Sequence, residues 1–228
     1  TALAMTYNGA REETKEAMAE VLGAGGVDVT KLNENNLALL YLLQEADPSV
    51  NLHIANSLWM REGIDFDEEF LSRNEKYYNS GMKSLDFDSS EAVETINRWV
   101  NERTEGHIDD LVEPPIDPNT ILFLINAIYL QGDWTHPFDP GNTQEDDFYL
   151  GSGNTKRVSF MNQYGDFEYY EEEGFQAVRL PYGENENTAM YVFLPVEDRD
   201  LGNFIEGFDN EKWQKVKNSF RMEEGSLS

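Results

Sequence analysis

The sequence predicts an α+β fold, and three observations support this prediction. Segments with helical periodicity alternate with extended segments in the first half of the chain. The segment from Thr120 to Leu130 is almost continuously apolar, as expected for a central strand that is covered on both faces. Beyond Gly132 the chain consists of short strand-like segments and two short helices, without a repeat or a Pro-rich linker. We therefore expect one domain over residues 1–228.

Helices and strands are predicted in turn before residue 88. An amphipathic helix follows the Asn8-Gly9 turn and ends at Gly23, a common helix C-terminal signal. It runs from Ala10 to Leu22, and its apolar face carries Ala10, Ala17, Met18, Val21 and Leu22. The apolar segments that follow are Asn36 to Leu43 and Leu52 to Met60, and the second is a predicted strand because Gly63 ends it quickly. Asp67 to Asn79 is predicted helical, and Met82 to Phe87 extended.

A further helix is predicted after Asp88. Asp88 and Glu91 have the spacing of a capping box, in which the first residue caps the helix. The apolar stripe that follows ends near Gly106 and consists of Ala92, Val93, Ile96, Trp99 and Val100.

The second half is predicted to be mainly strands. They span Phe148 to Leu150, Lys156 to Met161, Phe167 to Tyr170, Gln176 to Pro181 and Met190 to Pro195, with helices at Leu201 to Phe208 and Glu211 to Phe220. Residues 151–157, GSGNTKR, resemble a phosphate-binding loop only superficially, because Lys156 opens a strand and not a helix. We therefore interpret them as a hairpin turn.

The charge and the cysteine content exclude several classes of partner and chemistry. A net charge of −27 repels phosphate backbones and anionic membranes, so we expect neither nucleic acid nor membrane as a partner. No segment approaches the roughly 20 apolar residues of a membrane span. The chain has no cysteine, which excludes disulfides and thiolate catalysis. We interpret the acidity as a solvated surface rather than a cation site.

No pattern of catalytic or metal-binding residues stands out. His53, His107 and His136 are far apart in the sequence and lack the spacing of a zinc site, so we interpret each as a packing or surface residue. Carboxylate pairs such as Glu171-Glu172 and Asp146-Asp147 arise by chance in a chain with 44 acidic residues, and we expect no apolar surroundings that would shift their pKa. We expect no cofactor, no metal and no catalytic residue, which makes an enzyme, such as an acidic carbohydrate hydrolase, the weaker alternative.

One long motif resembles a known family. The segment NAIYLQGDWTHPFDPGNTQEDDF, residues 126–148, resembles the segment in serpins where the third strand of the large central sheet ends. The residues that match in type and spacing are Asn126, Ala127, Ile128, Tyr129, Gly132, Trp134, Phe138, Thr143 and Phe148. Leu130 and Gln131 depart mildly from the family pattern, in which an aromatic and a basic residue are commoner.

The resemblance extends over essentially all 228 residues and implies the architecture. Further matching segments are ALAMTYNGAREETKEAMAEVL, IANSLWMREGIDFDEEF, INRWVNERTEGHIDDLV and VSFMNQYGDFEYYEEEGFQAVRLPYGENENTAMYVFLP. A serpin-like fold has a large central β-sheet, second antiparallel sheets and packed helices. By comparison with complete serpins we expect a chain truncated at both ends. Its reactive-centre loop would be absent, and its own C-terminal segment would be a partner.

The resemblance also implies a function and a set of functional residues. A serpin is a suicide inhibitor of serine proteases: the target protease cuts the reactive loop, forms an acyl-enzyme, and the loop inserts into the central sheet. Insertion would occur beside strand 120–130, which would present Thr120, Phe123, Ile125 and Tyr129. Asn126 would belong to the hydrogen-bonded shutter, Trp134 would lie at the breach, and the helix from Ser89 to Arg103 would have to yield.

Alternatives within the family remain open. A noninhibitory serpin, with a carrier, chaperone or storage role, would share the same scaffold. We expect no heparin binding, because Lys31 is the only basic residue in or beside the segment from Asn33 to Leu43. The sequence leaves the compartment unknown, with secretion favoured.

Overall fold

The computed structural model describes residues 1–196 and 200–228. Within them lie seven α-helices, nine strands and a short 3-10 helix at Pro140–Asn142. The helices are α1 (Ala2–Tyr7), α2 (Glu12–Val21), α3 (Val29–Gln44), α4 (Glu68–Tyr78), α5 (Ser90–Arg103), α6 (Leu201–Glu206) and α7 (Asn210–Lys217). The strands are β1 (Val50–Arg61), β2 (Gly81–Leu85), β3 (Leu122–Gly132), β4 (Gln144–Tyr149), β5 (Thr155–Phe160), β6 (Gln163–Glu172), β7 (Phe175–Tyr182), β8 (Thr188–Pro195) and β9 (Arg221–Leu227). Both helices and sheets are present, as the predicted α+β class requires.

The chain divides into two compact units. The first unit comprises Thr1–Ala46 and Asn51–Gln131, and the second comprises Asp47–Val50 and Gly132–Ser228. The expectation of a single domain stays a prediction. No helix in the described ranges combines the length and apolarity that crossing a bilayer requires.

The first unit is built on a three-stranded sheet in the order β2-β1-β3, with β1 and β2 parallel. Apolar cores lie on both faces of this sheet. One core joins Ile96 of α5 to Trp59 of β1 and Ile125 of β3. The other contains Leu58, the neighbour of Trp59 on β1, together with Phe70 of α4. Successive residues of a strand point to opposite faces, which is why Leu58 and Trp59 enter different cores.

Helix α5 has the predicted apolar stripe but a different cap. Ala92, Val93, Ile96 and Val100 are buried, and Trp99 packs against the same core. The expected cap at Asp88 is wrong by one residue, because the Ser89 side chain accepts the hydrogen bond from the backbone N–H of Glu91. Asp88 instead forms an ion pair with Arg61 at 3.0 Å.

Helices α2 and α4 confirm their predicted boundaries to within two residues, whereas α3 begins at Val29, seven residues before the apolar segment noted from Asn36. Asp67 caps α4 through the backbone N–H groups of Glu69 and Phe70, and α2 is followed by Gly23 at φ +62°. The apolar face predicted for α2 is largely not buried, since Val21 is 76% exposed. On α3, several large apolar side chains are likewise exposed: Leu39, Tyr41, Leu42 and Leu43.

Strand β3 departs most from its prediction. It begins at Leu122, so Thr120 precedes the strand. Its first half is covered on both faces, because Phe123 and Ile125 join one core while Leu122 and Leu124 pack against the other. It is nevertheless an edge strand of the described sheet and not a central one. Ile128 and Leu130, in its second half, are 57% and 41% exposed.

The second unit contains a four-stranded antiparallel sheet in the order β8-β7-β6-β9. Strands β4 and β5 form a separate hairpin in which Tyr149 pairs with Thr155. The predicted hairpin turn is confirmed, although it ends at residue 154 and the last three residues of the segment 151–157 belong to β5. Helices α6 and α7 supply Phe204 and Val216 to a core with Phe175 and Ala177 of β7. The predicted strands and helices of this half are all present, with ends displaced by a few residues.

Candidate functional site

The predicted loop-accepting strand presents two different faces. Ile125 is 7% exposed and packs in the core beneath α5, where Phe123 also lies. Thr120 lies before the strand, and its carbonyl oxygen accepts a hydrogen bond from Nε of Arg61 at 2.8 Å. In the described ranges β3 has β1 on one side and no strand on the other. The outer edge of β3 is therefore a row of backbone groups without a strand partner.

Asn126 projects to the opposite face of β3 and begins a chain of hydrogen bonds. Its Nδ2 donates to Oδ1 of Asn56 on β1 at 2.8 Å. Nδ2 of Asn56 donates to the backbone oxygen of Tyr78 at 2.8 Å, at the end of α4. The hydroxyl of Tyr78 then donates to Oδ1 of Asn33 on α3 at 2.7 Å. This amide chain links β3 through β1 to the helices behind the sheet.

Removal of Asn126 from the amide chain should cost stability. The Asn126→Ala variant leaves Oδ1 of Asn56 without its donor, and Asn56 is 3% exposed. We expect a loss of about 1–2 kcal/mol in the free energy of unfolding, measured by guanidinium denaturation. The exposed Asn185→Ala variant is the control and should be near neutral. Equal losses in the two variants would contradict a structural role for the Asn126 side chain.

The ring of Tyr129 contacts the rings of two histidines that are far apart in the sequence. The ring of His107 stacks on Tyr129 at a centroid distance of 5.2 Å, and the ring of His53 lies 6.3 Å away. His53 is on β1, and His107 is in the segment after α5. Both histidines are exposed and contact Tyr129, which agrees with their interpretation as packing or surface residues. The stack places the exit of α5 over the face of β3 that carries Tyr129.

Trp134 lies in the second unit, at the end of β7. It forms an isolated antiparallel bridge with Tyr182, and the two rings stack at 4.3 Å with an interplanar angle of 15°. Phe138 contacts the indole edge-on at 6.1 Å. Burial raises the pKa of the Tyr182 hydroxyl, which keeps it neutral. Trp134 is therefore held in a fixed orientation by two aromatic rings.

A tight corner at Gly183 supports this aromatic stack, and no sequence pattern predicted it. We call Asp47, Ser49 and Gly183 the Gly183 corner. Oδ1 of Asp47 accepts hydrogen bonds from the hydroxyl and the backbone N–H of Ser49, at 2.6 and 3.0 Å. The N–H of Gly183 donates to the carbonyl of Asp133 at 2.8 Å, and its carbonyl accepts from the Thr135 hydroxyl at 2.6 Å. These bonds fix the residues on both sides of Trp134 against the end of β7.

The carboxylate pairs do not have the environment of acid–base catalysts. Asp146 and Asp147 are exposed on the β4–β5 hairpin. The expectation that Glu172 has an unshifted pKa is wrong: a hydrogen bond from Lys215 lowers it, and bonds from Tyr170 and Lys212 act in the same direction. A general acid requires a raised pKa, so Glu172 is tuned away from that role. No group of three or more potential metal ligands occurs in the part of the chain that the structure describes.

The lowered pKa of Glu172 predicts a pH dependence of stability. Because the folded state favours the ionised form, its contribution is present above the ordinary pKa of 4.5 and is lost as the pH falls below that value. We expect Glu172→Gln to destabilise the protein by about 1 kcal/mol at neutral pH, with the difference vanishing in acid. Denaturant unfolding at several pH values measures this. Glu173→Gln, an exposed neighbour with the same charge change, is the control, and a pH-independent difference for Glu172→Gln would contradict the assignment.

Comparison with known proteins identifies the family. The family model described as "Serpin (serine protease inhibitor)" matches residues 1–228. The chain belongs to the serpin family. It is 33% identical, over 98% of its length, to an uncharacterized serpin-like protein of Thermococcus kodakarensis, and 36% identical, over 88% of its length, to Serpin B6 of Macaca fascicularis. It covers 55% and 54% of these two relatives, so it spans about half the length of the curated serpins it matches.

The fold comparison agrees with the sequence comparison. The crystal structure of the thermophilic serpin tengpin in its native state superposes with a TM-score of 0.86 at 29% identity. The superposition covers 99% of this chain and 58% of tengpin. The serpin resemblance inferred from the motif at residues 126–148 is thus confirmed, and with it the serpin fold class.

Proposed function

We propose that this chain carries the loop-accepting sheet of a suicide inhibitor of serine proteases. The supporting observation is the outer edge of β3, which has no strand partner in residues 1–196 and 200–228 although its first half is packed on both faces. An added strand would satisfy the free backbone groups of this edge. It would also cover part of Ile128 and Leu130, which are exposed. The energy released on insertion would drive inhibition.

The proposed reaction begins outside this chain, at the reactive loop. The protease serine would lose its proton and bond to the carbonyl carbon of the scissile peptide, and the carbon–nitrogen bond would break to give an acyl-enzyme and a protonated amine that becomes a new chain start. The cleaved loop would then insert beside β3 and carry the esterified protease with it. Distortion of the protease active site would prevent water from completing hydrolysis. The partners in this proposal are the target protease and the serpin's own C-terminal segment.

The named residues of the site have distinct proposed roles. Phe123, Ile125 and Tyr129 would form the face over which α5 and its exit must yield, because Ile125 contacts the α5 core and Tyr129 stacks with His107. Asn126 would act as the shutter residue through its bond to Asn56. Trp134 would mark the breach, held by Tyr182. Thr120, which precedes the strand, would lie at the far limit of insertion.

A test for a covalent complex distinguishes the proposal from its alternative. The full-length protein is mixed with chymotrypsin-like and subtilisin-like proteases and analysed by denaturing electrophoresis. A band at the summed mass that survives SDS is the expected result. A protease whose active-site serine is blocked is the control and should give no such band. Cleavage of the loop without a stable complex by every protease would overturn the proposal in favour of a noninhibitory carrier, chaperone or storage role.

A further inference from the structure

The turn between α1 and α2 contains an Asn-Gly dipeptide, Asn8-Gly9. It is the only Asn-Gly dipeptide in the sequence. Glycine leaves its own nitrogen unhindered, so an asparagine side chain before it is prone to attack by that nitrogen. We propose that Asn8 is a deamidation site controlled by folding: the native structure blocks the reaction, opening of α1 permits it, and the product prevents the native packing from re-forming.

The reaction needs only base and water. The backbone nitrogen of Gly9 loses its proton to base and bonds to Cγ of Asn8. The bond from Cγ to Nδ2 breaks, and the nitrogen leaves as ammonia after taking up a proton. Water then opens the resulting five-membered imide at either carbonyl and gives aspartate or isoaspartate at position 8. The net change is the gain of one water, the loss of one ammonia and a new carboxylate.

The folded chain holds each reacting group in a hydrogen bond. The N–H of Gly9 donates to the carbonyl of Thr6 at 3.0 Å. Oδ1 of Asn8 accepts from Nδ2 of Asn33 at 2.7 Å, and its Nδ2 donates to Oδ1 of Asn74 at 3.3 Å. Asn8 is 7% exposed, so access for base and water is restricted. The side chain cannot swing toward the Gly9 nitrogen without breaking both of its bonds.

Opening of α1 would release all three bonds together. Helix α1 has six residues, too few to be stable without packing. Its contribution to the core comes from Ala4 and Met5, which pack with Phe70. A Cβ at position 9 would lie 2.9 Å from Cδ2 of Phe70, so a larger residue there would displace the Phe70 ring. The Asn8-Gly9 dipeptide is therefore protected only while α1 remains packed.

The product is incompatible with the native contacts. An aspartate at position 8 has no N–H to donate to Oδ1 of Asn74 and places a second acceptor against it. Nδ2 of Asn74 already donates to the carbonyl of Phe70 at 2.9 Å, so Asn74 cannot reverse its amide without losing that bond. Burial of the new charge adds to the cost. Asn33, which contacts position 8, is also a member of the amide chain that ends at Asn126.

The rate of the reaction tests the protection. The protein is incubated in mildly alkaline buffer with and without concentrated guanidinium chloride, and the tryptic peptide that contains Asn8 and ends at Arg11 is analysed by mass spectrometry for aspartate and isoaspartate. The synthetic peptide of the same sequence gives the unprotected rate. We expect the folded protein to react at least about tenfold more slowly than the denatured protein and the peptide. Equal rates would overturn the proposal.

A matched pair of variants tests the consequence. Asn8→Asp imitates one product, and Asn154→Asp makes the same charge change at an exposed turn residue. We expect the unfolding equilibrium constant of Asn8→Asp to rise by about tenfold or more, with little change for Asn154→Asp. An unchanged stability of Asn8→Asp would overturn the proposed effect of the product. If Asn8→Asp does not fold at all, the rate comparison on the unaltered protein still decides whether the native structure protects Asn8.

Discussion

Replacing Gly183 with alanine is expected to lower the free energy of unfolding by about 3 kcal/mol. Gly183 has φ +70°, a left-handed conformation that disfavours any side chain. An added Cβ would also lie 2.3 Å from Oγ of Ser49 and 2.7 Å from Oδ2 of Asp47. Both neighbours are fixed by their mutual hydrogen bonds, so neither can move aside without loss. Guanidinium denaturation measures the effect.

Gly153→Ala separates the two causes of this effect. Gly153 also has a left-handed backbone, at φ +82°, but a Cβ there would meet no atom within 4 Å. We expect Gly153→Ala to lower the free energy of unfolding by about 1 kcal/mol, which is the cost of the left-handed backbone conformation alone. The larger loss at Gly183 would then measure the overlap with the Gly183 corner. If both variants lost the same free energy, the corner would have to be looser than the contacts of Asp47 and Ser49 indicate.

The second large effect is expected for Ile96→Ala in α5. Ile96 is fully buried and packs in the core with Trp59 of β1 and Ile125 of β3. Removing three carbons from this site leaves a cavity under the helix, and we expect a loss of about 3 kcal/mol in the free energy of unfolding. Thermal or chemical denaturation measures it.

Glu94→Ala on the same helix is the matched control. Glu94 is exposed, so its truncation should change stability by less than about 0.5 kcal/mol. Under the proposed function, Ile96→Ala also weakens the attachment of α5 to the sheet without altering the edge of β3. A loss for Ile96→Ala no larger than that for Glu94→Ala would mean that α5 is not anchored by its apolar stripe.

The sequence predicted the helices and strands of this protein better than it predicted which strands pair with each other. The apolar run of β3 correctly indicated burial on two faces only for the first half of the strand. Composition reports what lies above and below a strand and not what pairs beside it. That is why a predicted central strand is an edge strand in the described sheet. The cap of α5 was misplaced because Asp88 and Ser89 are both good cap residues, and only the geometry decides between them.

Contacts between distant segments were beyond sequence reasoning. The hydrogen bond from the N–H of Glu184 to Oγ of Ser49 joins residues 135 positions apart, and neither residue type is unusual in a loop. The stacking of His107 and His53 on Tyr129 likewise depends on the arrangement of α5, β1 and β3. In contrast, the resemblance to serpins predicted Asn126 and Trp134 as site residues. A family motif marks such positions without showing which residues they contact. Their roles stay predictions.

The amide chain from Asn126 to Asn33 has a consequence for behaviour in different solvents. Its members are neutral amides and one phenol, and burial raises the pKa of the Tyr78 hydroxyl further from physiological pH. Dissolved ions screen interactions between formal charges, so adding salt relieves the mutual repulsion of a surface that carries −27. The interior bonds have no formal charge to screen. Higher ionic strength should therefore weaken the repulsion between surface charges that opposes the compact state. The hydrogen bonds that connect β3 to its supporting helices should stay unchanged.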